Sequence, residues 1–552
     1  MKKFYESLVA ILLLSACSPG EGVDVPEPLT HPDKGEYSSN SGDSTVDGDD
    51  SSTTGGINTG GDDSTGAESG DNGTNPDGSS SENLPEPVAL PAFFSGAHEA
   101  AGELASFYLR DNGLWPEGWL STANSLVAMI GYMERTGTQD FSWILANTLV
   151  KVGADKLYRE SQEDNASWGI AWLRAYDLTK EAKYLDAARV QADRMTREAW
   201  DETCGGGIYD RTDKTSKSVA ANLLYIKLLA GLSTRVMTAS NYKADAVKAW
   251  EWFQASALLK DRSLVLGTIE ASTCQFKETS PLAQNQGTLV GALTELYRAT
   301  SNEAYLSKAK LLADASMKAL AHNNGVFSDD AFPKCDNCSI GDRLNKGIYV
   351  RNLAELNAVA KVSTISKFLE MNSRSIWSKA KGQGGMFGYR WDGSFDAADS
   401  ARQTSAVDLL NSQISAPLAR NYGLLMDTRT SAVCTNNEAA IKAFDGSAAT
   451  KWCGIMIDGI NHLSVDLGAD RVVTAVRILH AGAGGESRAF NTKDFELQIS
   501  SDGANFTEIG RVRGNLSSMS YTKVSGTGRF LRLRFTSPGA DNFGRIYEMS
   551  SE

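Results

Sequence analysis

The sequence of 552 residues has few of the groups on which metal and nucleophile catalysis usually rest. Its five histidines are scattered singly, at His31, His98, His322, His462 and His480. It contains no His-Glu-x-x-His zinc motif, no Gly-x-Ser-x-Gly elbow and no Walker loop. Cys335 and Cys338 are closely spaced, but the neighbouring sequence offers no two further zinc ligands. These absences leave carboxylates as the candidate catalytic groups.

Positive charge and long apolar runs are also scarce. The 54 Lys and Arg residues are outnumbered by 68 Asp and Glu, which gives a net charge of -14. Because phosphate binding needs clustered Lys and Arg, this balance argues against a nucleic-acid partner. The apolar run Leu8 to Leu14 is much shorter than the roughly 20 residues that span a bilayer. We expect neutral or cationic partners, a monomer, and no permanent transmembrane helix.

The N-terminus has the pattern of a secretory signal. Lys2 and Lys3 precede the apolar run, and Leu14-Ser-Ala-Cys17 follows it, so residues 1–16 are interpreted as the signal peptide. The tetrad resembles the lipobox of bacterial lipoproteins, which implies a lipid on Cys17. By the same resemblance, Ser18 favours the outer membrane over the inner one. The alternative is an ordinary signal peptide with a chance cysteine.

Residues 17–90 are rich in Ser, Gly, Asp, Thr and Asn and have almost no large apolar side chains. Such a segment cannot bury a core, and we predict a disordered tether. Beyond Cys17 the chain has an even set of six cysteines, Cys204, Cys274, Cys335, Cys338, Cys434 and Cys453. In an oxidising compartment disulfides are plausible for such a set, but the sequence leaves the pairing open.

Residues 91–426 carry a helical apolar period in segments of about 15 to 20 residues. About twelve helices are predicted, beginning near Gly96, Leu120, Thr138, Ala166, Glu181, Ser216, Tyr242, Ala283, Asn302, Asn345, Ile365 and Gln403. Three similar junctions, ending at Thr136, Thr179 and Thr300, predict helical hairpins. Such repeats suit either an α-solenoid or an (α/α)6 barrel, and the unequal loops rich in Trp and Gly favour the barrel.

The last segment, residues 427–552, has a different pattern of apolar and polar residues. Short alternating stretches at 463–467, 473–478, 495–499 and 530–535 are separated by turn residues. Several short strands at this spacing predict a β-sandwich. We therefore predict a multidomain chain, with an all-α barrel followed by an all-β, jelly-roll-like sandwich.

Aromatic residues in the helical region suggest what such a barrel would bind. Trp115 and Trp391 lie in loops that also carry Glu, Asp, Arg and Gly. Sugars present flat apolar faces ringed with hydroxyls, and Trp beside polar side chains matches both features. We predict that these two residues line a sugar-binding cleft. The alternative is that each Trp is simply part of the core.

Several motifs carry a family resemblance that covers the whole helical domain. In order they are Glu163-Asp-Asn-Ala-Ser-Trp168, Cys204-Gly-Gly-Gly-Ile208, Lys217-Ser-Val-Ala-Ala-Asn222, Asn285-Gln-Gly287, and Lys346-Gly-Ile with Arg351-Asn352. Together they resemble glycoside hydrolase family 76. The resemblance implies an (α/α)6 barrel with endo-α-1,6-mannanase activity and no catalytic cofactor.

The family's retaining mechanism uses two adjacent carboxylates, which correspond here to Glu163 and Asp164. The resemblance implies that Glu163 is the nucleophile and Asp164 the acid/base. Glu163 departs from the family's Asp-Asp pair, because Glu places its carboxylate about 1.5 Å further from the backbone. This departure favours one alternative, a catalytically weakened mannan-binding lipoprotein, and resemblance to the fungal wall-remodelling branch of the family allows a second, a transglycosylase. A further alternative is that the pair is only an exposed acidic loop.

The same resemblance implies a set of residues that face the cleft. They are Trp168, Tyr209, Lys217, Asn222, Asn285, Gln286 and Arg351. Structural roles are the alternative, since Asn222 and Asn285 are suited to capping helices. Lys217 and Arg351 could equally pair with structural acids.

The C-terminal segment resembles a discoidin, or coagulation-factor type C, domain, a fold shared with carbohydrate-binding module family 32. The motifs are Ala440-Ile-Lys-Ala-Phe-Asp-Gly446, Thr450-Lys-Trp452 and Arg545-Ile-Tyr-Glu548. By resemblance, a structural calcium would be held by Asp445, Thr450 and Glu548, and oxygen ligands suit that ion. A metal-free loop is the alternative. A sugar would meet loop residues His480, Arg488 and Asn491, and Cys434 could be bridged to Cys453.

Overall fold

The structure, a computed structural model, describes most of the chain beyond the predicted tether. The described residues are 91–153, 158–236, 241–259, 263–322, 324–328, 338–414, 417–418, 421–457 and 461–552. Cys17, the signal peptide, the tether and Cys335 lie outside them. Among the described residues, no helix is both long enough and apolar enough to cross a membrane.

Twelve α-helices form the first part of the described chain, as the sequence predicted. They are α1 (Pro91–Ser106), α2 (Trp119–Thr136), α3 (Ser142–Val152), α4 (Gln162–Thr179), α5 (Ala182–Glu198), α6 (Val219–Ser233), α7 (Tyr242–Ala255), α8 (Ala283–Thr300), α9 (Glu303–Leu320), α10 (Ile340–Ala360), α11 (Ser363–Lys379) and α12 (Ser400–Asn411). Each predicted start lies within about five residues of the observed one.

The three predicted hairpin junctions are confirmed, and their sequences explain why the helices stop. Helices α2, α4 and α8 end at Thr136, Thr179 and Thr300, and each threonine hydroxyl donates to the carbonyl four residues earlier. The next residue adopts a left-handed conformation, which ends the helix. Only the first of these residues, Gly137, is a glycine, with φ of 71°.

The helices form a closed barrel. Inner helices α2, α4, α6, α8, α10 and α12 each pack against the next, and α12 packs back against α2. The outer helices α5, α7, α9 and α11 each pack on two successive inner helices. The predicted (α/α)6 barrel is therefore confirmed over the solenoid. Because inner and outer helices alternate, all six inner helices begin at the same end of the barrel.

The loops at the end of the barrel where the inner helices begin are connected by a small sheet and a disulfide. Short strands β1 (Ser216–Ser218), β2 (Thr268–Glu270) and β3 (Phe276–Lys277) form a small antiparallel sheet in front of α6 and α8. A disulfide joins Cys204 to Cys274 across this region, with Cα atoms 5.2 Å apart. These connections fix the loops around the starts of the inner helices.

The second part is a β-sandwich, as predicted. Its strands are β4 (Thr428–Thr430), β5 (Trp452–Ile455), β6 (Asn461–His480), β7 (Asp494–Ser500), β8 (Thr507–Val512), β9 (Met519–Ser537) and β10 (Phe543–Ser551). They pair antiparallel in the order β5-β10-β6-β9-β7-β8, with β4 on β6. The long strands β6 and β9 both bend, since their register shifts near Asp466 and Val473. A disulfide joins Cys434 to Cys453, as proposed from the sequence.

Barrel and sandwich form one compact unit, joined by buried polar contacts. Arg477 of β6 forms an ion pair with Asp140 of the barrel at 2.5 Å, and both side chains are buried. Glu103 of α1 is fully buried, accepts the Ser518 backbone N–H at 2.7 Å and pairs with Arg488 at 2.8 Å. These contacts hold the sandwich in a fixed position along α1.

Candidate active site at the mouth of the helical barrel

The two predicted catalytic carboxylates lie in the first turn of α4, at the end of the barrel where the inner helices begin. Ser161 caps the helix, and its hydroxyl accepts the backbone N–H of Asp164 at 3.2 Å. The backbone N–H of Gln162 donates to the carbonyl of Asp210 at 2.8 Å, which joins this turn to the loop before α6. Glu163 and Asp164 are thus held by a capped helix start, where the helix dipole favours negative charge.

Burial opposes that charge. Burial, and then the neighbouring carboxylates of Asp164 and Asp210, raise the pKa of Glu163 to about 7. Burial also raises the pKa of Asp164, but the guanidinium groups of Arg159 and Arg211 act against that rise. The two carboxyl groups therefore have unlike environments, which is what acid/base chemistry at one site requires.

Two residues that the sequence reasoning missed act on Glu163. The side-chain amide of Gln284, near the start of α8, donates from Nε2 to Glu163 Oε1 at 3.2 Å. Asp210 contributes its negative charge. Its carboxylate accepts the Ser218 backbone N–H and the Ser216 hydroxyl, so it also fixes the start of α6. Neither residue lies in a motif that the resemblance marks, and no local pattern identifies them.

A small cavity of about 30 Å³ reaches from Glu163 into the barrel. Two of the predicted substrate-binding residues, Asn285 and Arg351, line it. Arg351 is also paired with the buried carboxylate of Asp408 at 3.1 Å and donates to Asn124 Oδ1 at 2.8 Å. The structure therefore brings Asn285 and Arg351 together with Glu163 around one cavity.

Four other predicted cleft residues hold loops in place. Lys217 is fully buried, and its ammonium donates to the backbone carbonyls of Thr203, Gly206 and Gly207. Burial lowers the pKa of Lys217. The Tyr209 hydroxyl donates to Asp201 at 2.7 Å.

The remaining two are Asn222 and Gln286. The Asn222 amide bonds the backbone N–H and carbonyl of Ile208, and the Gln286 amide bonds those of Val265. Their side chains are buried. All four side chains are thus used in shaping the mouth, which corrects the expectation that they face the sugar.

The prediction that Trp115, Trp168 and Trp391 face the cleft is wrong. Each side chain is at most 1% exposed. Trp115 Nε1 donates to the Leu104 carbonyl at 2.7 Å, and Trp391 packs edge-on against Phe327. Trp168 stands one turn below the carboxylates, between Trp119 and Trp172. Trp168 belongs to the core beneath the site, because an aromatic side chain on an inward helix face packs against its neighbours, whereas Trp115 and Trp391 enter the core from loops.

The predicted sugar-binding residues of the sandwich are also occupied by internal contacts. His480 is fully buried and bonds the Ser520 hydroxyl at 3.0 Å, and burial lowers its pKa to about 3. Asn491 is 2% exposed and accepts the Gly482 backbone N–H. Arg488 is paired with Glu103 of the barrel. The burial of His480 and Asn491 therefore contradicts the prediction that they meet a sugar, whereas Arg488, whose side chain is 33% exposed, stays a predicted sugar-binding residue.

The predicted calcium ligands do lie together. The Thr450 hydroxyl donates to Asp445 at 2.7 Å, and the Gly446 backbone N–H donates to Glu548 at 3.0 Å. Burial, and then the charge of Asp140, raises the pKa of Glu548 well above its usual range. Two carboxylates and a hydroxyl, from the turn before β5 and from β10, are donors of the kind that suits calcium.

A closed ring of six inner helices with adjacent carboxylates at one mouth defines an α/α-barrel glycoside hydrolase. The sequence profile of glycosyl hydrolase family 76 matches residues 94–421, and the chain belongs to this family. The profile of the F5/8 type C domain matches residues 428–549. Both resemblances drawn from the sequence are confirmed. No curated protein matches the chain.

Solved structures show the same barrel. The Lin0763 protein from Listeria innocua is 23% identical, with a TM-score of 0.52, over 58% of this chain and 96% of that one. The GH76A α-1,6-mannanase from Salegentibacter sp. HEL1_6 is 23% identical, with a TM-score of 0.51, over 58% and 98%. Dfg5 from Chaetomium thermophilum is 16% identical, with a TM-score of 0.54, over 60% and 93%. At these identities the likeness concerns the fold alone.

Proposed function

We propose that this protein is an endo-acting α-1,6-mannanase that cleaves with retention of anomeric configuration. The observation that carries the proposal is the carboxylate pair Glu163 and Asp164 at the barrel mouth, in a chain of glycosyl hydrolase family 76. Similar folds support the choice of substrate. An inactive double aspartate-to-asparagine variant of the Salegentibacter α-1,6-mannanase is known in complex with α-1,6-mannotriose, and it shares this fold at a TM-score of 0.52.

In the proposed mechanism, a Glu163 oxygen attacks the anomeric carbon while the bond from that carbon to the glycosidic oxygen breaks. Asp164 gives its proton to the departing oxygen. A water molecule then attacks the same carbon, Asp164 takes one water proton, and the bond to Glu163 breaks. In the free protein burial raises the pKa of both carboxyl groups, and that of Glu163 reaches about 7. Attack needs an ionised Glu163 and a protonated Asp164, so substrate binding must leave the shared proton on Asp164.

The test is incubation of the purified protein with linear α-1,6-mannan, read by product mass and by NMR of the newly formed anomers. Release of α-configured oligosaccharides supports the proposal. Asp164→Asn should lower the rate by about 100-fold or more, as loss of a general acid usually does. Asp111→Asn, at an exposed acid of the α1–α2 loop, is the matched control and should keep full activity. No released reducing ends from any α-mannan would refute the proposal.

The second candidate is a mannan-binding protein with weakened turnover, which Glu163 itself favours. Glutamate extends about 1.5 Å further than aspartate, and misplacements of about 1 Å can cost roughly 100-fold in rate. Binding of mannan without turnover, with turnover restored by Glu163→Asp, would select this candidate. Products longer than the substrate at high acceptor concentration would instead select a transglycosylase.

We also propose that the chain is lipidated at Cys17 and carried on the outer membrane, with the sandwich as a carbohydrate-binding module. The leader sequence and the F5/8 type C match support these roles. Cys17→Ser should release the protein from the membrane fraction and abolish incorporation of labelled fatty acid.

We propose that the sandwich binds a calcium ion at Asp445, Thr450 and Glu548. Chelation should then lower the unfolding temperature, and added Ca²⁺ should restore it. The variant Asp445→Asn should show no response to either treatment.

A further inference from the structure

Gln284 occupies a position from which it can control the geometry of Glu163. Its Nε2 atom donates to Glu163 Oε1 at 3.2 Å, across the gap between α8 and α4. The side chain is 8% exposed, so water has little access to this contact. Among the described residues no other side chain donates a hydrogen bond to the Glu163 carboxylate. The orientation of this carboxylate therefore depends on one residue of a neighbouring helix.

The backbone that carries Gln284 is rigid. The next-but-one residue, Gln286, bonds both backbone groups of Val265, at 2.9 and 2.7 Å. The Thr288 hydroxyl donates to the carbonyl of Gln284 at 2.8 Å. Gly287 lies so close to Tyr349 that an added Cβ would come within 2.5 Å of a backbone atom. The start of α8 therefore cannot shift easily, and it holds the Gln284 amide in a fixed place.

Glutamate needs such a fixed partner more than aspartate does. It has one more rotatable bond, so its carboxylate can occupy several positions that an aspartate carboxylate cannot reach. We propose that Gln284 is the positioning residue that selects, among these positions, the one from which Glu163 reacts. This proposal rests on the proposed glycosidase function. It also supplies a physical route by which a Glu at this position can act as the nucleophile.

The other end of the Gln284 amide faces the cavity. Its Oε1 atom is buried and has no hydrogen-bond partner within the described chain. Buried polar atoms are rarely left unpaired, and the cavity of about 30 Å³ has room for roughly two water molecules. The amide can therefore accept an O–H from water, or from a sugar hydroxyl beside the reacting carbon, while its nitrogen holds Glu163.

The experiment compares Gln284→Leu with wild type, alone and combined with Glu163→Asp. Gln284→Leu should lower kcat by about 10- to 100-fold with little change in KM, as expected for a misplaced reacting group. In the Glu163→Asp background the carboxylate lies about 1.5 Å further from Gln284 and the hydrogen bond is lost. There Gln284→Leu should change kcat by less than about twofold. Equal losses in the two backgrounds would overturn the proposal.

A second readout does not need turnover. The hydrogen bond from Gln284 lowers the pKa of Glu163, so its removal should raise that pKa above about 7. The pKa is measured as the pH midpoint of carbodiimide labelling of Glu163, detected by peptide mass spectrometry. Gln254→Leu, on the exposed face of α7, is the matched control and should leave the midpoint unchanged. An unchanged midpoint in Gln284→Leu, with only a lower unfolding temperature, would show that Gln284 is merely structural.

The two proposals fail in different ways. If wild-type protein cuts no mannan but the labelling midpoint still rises in Gln284→Leu, the proposed function fails and the contact to Glu163 stands. If mannan is cut and Gln284→Leu behaves as wild type in both readouts, the positioning role fails alone.

Discussion

Activity on mannan should fall as the pH rises above about 7. A retaining carboxylate pair works with one proton shared between its two groups. Burial and neighbouring charges raise the pKa of Glu163 from 4.5 to about 7, so the last proton leaves the pair near that pH. Above it, kcat/KM should fall about tenfold per pH unit, or roughly 100-fold by pH 9. At low pH a second proton binds, and the rising limb reports the lower pKa of the pair.

Asp210→Asn tests the physical cause of the fall in activity above pH 7. The negative charge of Asp210 raises the pKa of Glu163, so its removal should lower the pKa. A shift of about half to one pH unit corresponds to roughly 0.7 to 1.4 kcal/mol, a usual size for a nearby like charge. Asparagine retains an oxygen that can accept the Ser218 backbone N–H, so the start of α6 should stay in place. The falling limb should therefore move to lower pH.

The assay is the initial rate of reducing-end release between pH 4 and pH 9, with the unfolding temperature measured at each pH. Asp213→Asn is the matched control, because Asp213 is exposed in the same loop and, among the described residues, bonds Thr215 alone. It should leave the limb unchanged. A rate that stays flat to pH 9 would refute the raised pKa of Glu163. An unmoved limb in Asp210→Asn would refute the assigned role of Asp210.

Three further predictions concern stability, each read by calorimetry. Arg477→Met leaves Asp140 as a buried, unpaired charge and should cost about 3 to 5 kcal/mol, and an unchanged unfolding temperature would contradict the fixed interface. Lys217→Met leaves three loop carbonyls unbonded and should cost about 2 to 3 kcal/mol, with proteolysis beginning at Gly205 to Gly207. Removing both Cys434 and Cys453 by alanine substitution should cost about 3 kcal/mol, and a smaller effect in non-reducing buffer would show that the bridge constrains little.

Helix and strand positions were largely predictable because their signals are local. The apolar period that marked α4 or α8 is set by which face each helix buries, and threonines ended three helices where the sequence indicated. Barrel closure was not visible in the sequence. It depends on α12 packing against α2, a contact between residues far apart in the chain. The choice of a barrel over a solenoid therefore rested on loop composition and on the family resemblance.

The candidate site was predictable only in part, because a residue type does not show which partner it meets. Lys217 and Asn222 have the polarity expected of sugar ligands, yet their hydrogen bonds are made to loop backbone. Buried backbone groups of a glycine-rich loop need partners as much as a sugar hydroxyl does. A polar residue near a site mouth is therefore as well suited to building the loop as to binding substrate.

The sequence shows that Glu163 replaces the first aspartate of the family's pair. It does not show which residue restrains the longer side chain. The group that bonds the end of this longer side chain comes from another helix. Gln284 is 121 residues away in the chain and meets Glu163 only because α4 and α8 belong to the same ring. A gain of turnover in Glu163→Asp would show that glutamate weakens this site, whereas a loss would combine two effects, the shorter reach of aspartate and the lost contact to Gln284. In wild type the carboxylate and the Gln284 amide form one unit, and only the paired substitutions separate the longer reach of glutamate from the partner that restrains it.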